Sequence, residues 1–227
     1  MKSNDEIANL VECAFRESIT EFLEGVRYQE KADNAESLQK NDNILPIVLY
    51  SSLRCGGGGE IALYTVLAAY FRLKLEKINK DKNTKLRLGL DLHIKDYPGK
   101  PDFLVHTEGE FNDPIFISEF KVLYEEGEFN SRPSKVSCDI EFVLKKCKDY
   151  VLVKQKARAC VVVFHHSKTN KPNTEFFKID KFCSEPKQPI HLWHPLSMND
   201  PGYFNIYFIS NDSIKDIDFN AEKIQTG

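Results

Sequence analysis

Residues 100–123, KPDFLVHTEGEFNDPIFISEFKVL, hold two apolar runs of strand length joined by a short polar connection. Each run carries charge where a core strand normally has none. In IFISEFKVL (115–123) side chains alternate faces. Ile115, Ile117, Glu119, Lys121 and Leu123 share one face; Phe116, Ser118, Phe120 and Val122 share the other. The connection EGEFNDP (108–114) is rich in turn formers, which makes the two runs a hairpin. With its midpoint near residues 110–111, Asp102 stands opposite Glu119, Cβ atoms about 4.5–5.5 Å apart. A shift of one residue would send Asp102 to the other face. Two carboxylates this close repel unless one takes a proton or a cation lies between them. A hard divalent cation suits them, since Mg²⁺ takes one or two carboxylates plus waters and phosphate oxygens.

The surrounding pattern predicts an ordered series of elements. EIALYTVLAAYFRLKLEKI (60–78) places Ile61, Tyr64, Ala68, Phe71, Leu75 and Ile78 at helical spacing. LRLGLDLHI (86–94) alternates, with Leu86, Leu88, Leu90, Leu92 and Ile94 set against Arg87, Gly89, Asp91 and His93, as a half-buried strand does. After the hairpin, residues 134–153 form a helix with Val136, Ile140, Val143, Leu144, Cys147 and Val151 on one face, started by Pro133 and Ser134. ACVVVFHH (159–166) is a fully buried strand, suited to parallel pairing across the helical connection.

The Pro-Asp…Glu-x-Lys string, Asp102 with Glu119 and Lys121, resembles the signature of the PD-(D/E)xK phosphodiesterase superfamily. That group includes restriction endonucleases, Holliday-junction resolvases, RecB-like nucleases and many phage-defence effectors. The family core runs helix, three antiparallel strands, helix, strand, and the same order is read here over roughly residues 59–166. The resemblance implies an α/β chain of the α+β type: a restriction endonuclease-like core, a central mixed sheet flanked by helices (α-β-β-β-α-β). It implies Asp102 and Glu119 as ligands of Mg²⁺, replaceable by Mn²⁺, with the backbone carbonyl of Phe120 completing the protein's share. Lys121 would orient a water and stabilise transition-state charge. A further acidic residue often comes from the first core helix; Glu60 is the candidate, against its alternative role as a carboxylate at a helix N-terminus. Asp91 is a weaker contender. The glutamine-tyrosine motif of RecB-like members is not evident after Glu-Phe-Lys.

The function implied is a metal-dependent nuclease, DNA favoured over RNA, in restriction or phage defence. Family members commonly act as homodimers, and a defence-system partner protein is a further expectation. One alternative is an RNase or an effector nuclease switched on by a ligand or partner. Another, of a different class, is a non-catalytic interaction module keeping the fold. Taken singly, Glu119 and Lys121 read better as an ordinary surface ion pair; the opposed Asp102 and the element order favour the site.

Residues 1–58 are expected as an N-terminal helical extension and 167–227 as a strand-rich C-terminal one. In the former, Ile7, Leu10, Val11, Ala14, Phe15, Ile19, Phe22 and Val26 form one helix face, and Ser3 with Glu6 fits a capping box. CGGGGE (55–60) lacks the Lys-Ser/Thr of a Walker loop, so a hinge or close chain approach explains it better than an anion site. HLWH (191–194) has HxxH spacing without a second half-site for zinc. A net charge of −3 speaks against a simple basic groove and leaves local patches open. Lys145 and Lys148 fall away from the apolar stripe of their helix and read as a solvated face. The six cysteines lack CxxC spacing and read as reduced core residues of a cytoplasmic protein. No run approaches membrane-span length, so no membrane partner is expected.

Overall fold

Helical spacing of apolar residues turns the N-terminal segment into α1 (Asn4–Ala32), which buries Ile7, Val11, Ala14, Phe15, Ile19 and Phe22. A computed structural model of the chain describes residues 4–32, 59–124, 133–167, 190–194 and 197–219. After α1 come α2 (Gly59–Lys82), β1 (Leu86–Leu90), β2 (Phe103–Thr107) and β3 (Phe116–Tyr124). Then follow α3 (Pro133–Val153), β4 (Arg158–Ser167), β5 (Ile190–His194), β6 (Ser197–Ile209) and the short α4 (Asn211–Asp216). The expected succession of helix, three strands, helix and strand is present between Gly59 and Ser167.

The chain is α+β, with a mixed six-stranded sheet in the order β1-β2-β3-β4-β6-β5. β1, β2 and β3 pair antiparallel, and β3 pairs parallel to β4. A parallel pair needs a long crossover, which α3 supplies. β6 then adds antiparallel to β4 and carries β5 at the edge. Neighbouring β3 and β4 are buried on both faces, which is why β4 reads as an unbroken apolar run.

One face of the sheet meets α1 and α2. There Phe15 is surrounded by Phe71, Phe116 and Phe103, with ring centroids 4.9, 5.2 and 5.4 Å away. The other face, with Leu104, Ile117, Val161 and Val163, meets Ile140, Val143, Leu144, Cys147 and Val151 of α3. These α3 residues are the expected stripe, and Tyr150 joins them. Val136 lies outside the described side chains.

A polar latch ties the two ends of the chain together. Glu12 of α1 is buried, accepts a hydrogen bond from Arg158 Nε, and accepts the Asn211 N–H at 3.0 Å. Asn211 Oδ1 in turn accepts the Ala159 N–H at 3.1 Å, and Arg158 also reaches Asp212 at 3.1 Å.

Four expectations need correction. The strand expected over 86–94 ends at Leu90, because Asp91 takes a left-handed φ of 49°. Leu92 is consequently exposed, and Ile94 packs in the α3-side cluster instead of continuing β1. Gly89, expected on a polar face, is buried: a Cβ there would stand 2.8 Å from Leu92 Cδ1 and 2.9 Å from Leu104 Cδ1. Ile115 precedes β3 and packs with the phenylalanine cluster, not beside Ile117. Cys13 is exposed, whereas Cys147 and Cys160 are buried free thiols. Ser3 and the glycines of CGGGGE up to Gly58 lie outside the described residues, as do the side chains of HLWH.

Glu12→Ala removes a buried carboxylate and strands the Asn211 amide. Fully buried pairs cost about 3–5 kcal/mol when broken; Arg158 keeps Asp212, so a loss of about 2–3 kcal/mol is expected, read as a lowered urea midpoint at unchanged m-value.

Candidate active site

The ladder between β2 and β3 pairs Phe103 with Ser118, Leu104 with Ile117 and Val105 with Phe116. Carried one residue further, this register sets Asp102 against Glu119, as the turn composition implies. Ile117 packs toward α3, and Phe116 and Phe120 pack toward α1 and α2. Alternation therefore gives Glu119 and Lys121 the α3 face. The ladder does not continue to Asp102. Its Oδ2 instead accepts the N–H of Phe120 at 2.6 Å, and its backbone carbonyl accepts the Asp91 N–H at 3.2 Å. Asp102 is thus fastened to β3 through its side chain and to the end of β1 through its backbone.

Glu119 is 4% exposed. Burying a carboxylate costs several kcal/mol unless partners replace water. Two partners do so, both at Oε1: the Tyr97 hydroxyl donates a short hydrogen bond, and Lys146 Nζ lies at 3.2 Å. Tyr97 comes from the β1–β2 connection and Lys146 from α3. The Lys146 ammonium also lies 4.7 Å from the centre of the Tyr97 ring and 5.6 Å from that of Phe142. Tyr97 stands edge-on to Tyr150, centroids 5.7 Å apart, and its hydroxyl is 3.9 Å from Cys147 Sγ.

The electrostatics of these groups follow from their shared burial. Burial pushes the Tyr97 phenol far above its ordinary range, and its neighbours Cys147 and Glu119 add to it. Burial likewise raises the Cys147 thiol; Glu119 and, more weakly, Asp102 push it further, and Lys146 opposes them. Tyr97 therefore stays a donor to Glu119 across the whole neutral range.

Asp102, Glu119 and Lys121 are brought to neighbouring positions, with Asp102 and Lys121 half-buried beside the buried Glu119. Phe120 offers its N–H to Asp102 while its ring faces away. Glu60 opens α2 but its side chain lies outside the described residues. Asp91 directs its carboxylate to Lys100, 3.7 Å away. Lys148, expected in a solvated face, donates to the Ile217 carbonyl and so braces the C-terminal segment. Tyr97 and Lys146 were not apparent from sequence. Lys146 had a faint signal, standing three residues after Val143 and four before Tyr150, at the border of the buried stripe. Tyr97 lies in an aperiodic Pro-Gly connection and had none.

Asp102, just before β2, and Glu119 of β3 are the two carboxylates of this cluster. Among the described residues no group of three or more His, Cys, Asp or Glu side chains could hold a metal. An all-protein cage of the zinc type is therefore not formed by them, whereas Mg²⁺ is commonly held by one or two carboxylates.

A sign follows for stability against pH. Unfolded cysteine and tyrosine lose protons near about pH 8.5 and about pH 10, whereas folded Cys147 and Tyr97 retain theirs. The unfolded state then binds fewer protons, so stability is full below about pH 8.5 and falls as pH rises. The urea midpoint is expected to drop between pH 8 and pH 10.5, with a shallower slope in the Tyr97→Phe, Cys147→Ala double variant; equal slopes would refute the assignment.

No family model matches this sequence, and no curated protein and no solved structure shows significant similarity to it, so the site stands on its own geometry.

Proposed function

We propose that the chain is a metal-dependent nuclease that hydrolyses phosphodiester bonds, DNA before RNA. The observation that carries this is the β2–β3 register, which extended by one residue beyond Phe103–Ser118 sets Asp102 against Glu119, with Lys121 two residues on along the same face. The element order from α2 to β4 supports a restriction endonuclease-like core. On this reading Asp102 and Glu119 hold Mg²⁺ or Mn²⁺ together with the Phe120 carbonyl. When bound, the ion supplies Lewis acidity toward the phosphate and lowers the pKa of a water.

The chain's own residues do the remaining work. The Phe120 N–H fixes the Asp102 carboxylate at the point where β2 and β3 part. Tyr97 and Lys146 fix Glu119. Lys121 places a positive charge where negative charge develops on the phosphate and orients the attacking water. Glu60 remains the candidate for an additional acid. A place in restriction or phage defence rests on the family resemblance alone.

One observation favours a second reading. Glu119 is already neutralised by Lys146 in a buried pair, 5% and 12% exposed at their side chains. Such a pair suits an interaction module in which the charges only fix the fold.

Incubation with plasmid, single-stranded DNA and RNA, in Mg²⁺, Mn²⁺ or EDTA, separates the two. Metal-dependent cleavage is expected, reduced about a hundredfold or more in Asp102→Ala and Lys121→Ala at unchanged melting temperature. Cleavage that survives both substitutions rejects the site. No cleavage under any condition, with capture of a protein partner, selects the interaction module.

A further inference from the structure

Lys146 is the unexpected group at this site. Its ammonium lies 3.2 Å from Glu119 Oε1, and its side chain is 12% exposed. Faces of Tyr97 and Phe142 flank it, and a Cβ built on Gly99 would come within 3.7 Å of Nζ. It is therefore a placed charge enclosed by α3 and the β1–β2 connection, not a surface lysine that swings freely. Within this cluster Lys146 already neutralises Glu119 at one oxygen. A divalent ion brought to the carboxylates adds two positive charges beside an ammonium that shares one of them.

We propose that Lys146 is a positioning residue that sets the divalent-cation affinity of the site by competing with the ion for Glu119. The inference rests on the nuclease reading of Asp102 and Glu119. Tyr97 complements it: the phenol binds the same oxygen without bringing charge, so it holds the Glu119 rotamer while the ammonium sets the electrostatic cost. As an ion binds, Lys146 loosens from Glu119, and its ammonium becomes available to a phosphate oxygen of the substrate. Affinity for the metal and affinity for the substrate's charge are coupled through one side chain.

The test is Mn²⁺ binding by calorimetry, with no nucleic acid present. Lys146→Met keeps the apolar stem against Tyr97 and Phe142 and removes the charge. It is expected to tighten Mn²⁺ binding about tenfold or more, the scale of one unit charge a few Å from the ion in a partly buried site. Lys146→Arg keeps the charge and leaves the affinity near wild type. Glu119→Gln abolishes binding and makes Lys146→Met silent. Unchanged or weaker binding in a folded Lys146→Met protein, with the wild type binding normally, overturns the inference and leaves the metal site standing. Failure of wild type and every variant to bind Mn²⁺ overturns the metal site and the inference with it. A second measurement needs no variant: acetylation of Lys146 in the wild-type protein by an amine-reactive ester, followed by mass spectrometry. Its rate is expected to rise several-fold when Mn²⁺ is added, and an unchanged rate in Mn²⁺-saturated protein overturns the competition.

Discussion

Keeping a carboxyl side chain in the interior is the constraint around which this site is organised. Glu119 sits on a strand buried on both faces, between a phenylalanine cluster and the inner stripe of α3. The desolvation of one carboxylate is comparable to a large share of a domain's net stability. Compensation has to come from elements remote in sequence, and it does: a phenol from the β1–β2 connection and an ammonium from α3 converge on a single oxygen. The early end of β1 belongs to the same arrangement. Asp91 in its left-handed conformation turns the chain off the sheet edge, and that turn lets Ile94 and Tyr97 fold back over the face that bears Glu119.

The parts that follow from local periodicity were legible in the sequence. The stripe of α3, the buried run of β4 and the hairpin register all rest on spacing of 2 or 3.6 residues or on turn chemistry. What sequence could not show depends on backbone conformation at single residues or on contacts made only in three dimensions. Alternation alone carried β1 on to Ile94, because nothing in the string marks the positive φ of Asp91. Gly89 looked like a gap on a polar face, though Leu92 and Leu104 crowd it. Lys145 and Lys148 read as one solvated helix face, and Lys146, between them, carried no reading of its own; in the structure Lys146 and Lys148 each take a specific partner. Lys146 proves to neutralise Glu119 and Lys148 to hold the Ile217 carbonyl.

The same limit explains why the signature alone underdetermines chemistry. Asp102 is held by a backbone amide at 2.6 Å, a bond that stabilises a carboxylate whatever its purpose. A catalytic carboxylate and a structural one can be fastened identically. The difference lies in whether the site exchanges its internal cation for an external one, and this gives Lys146 more diagnostic weight than the three residues of the signature.

The latch at Glu12 has a consequence for how the molecule comes into being. Glu12 and Asn211 are 199 residues apart in sequence, yet they bond directly. A chain emerging from the ribosome carries its first helix long before the acceptor's partner exists. Until β6 and α4 are synthesised, the Glu12 carboxylate lacks its amide from Asn211, and β4 lacks a neighbour on one edge. Closure is a long-range event, and a nascent chain that stops before β6 leaves one edge of the apolar strand β4 unpaired.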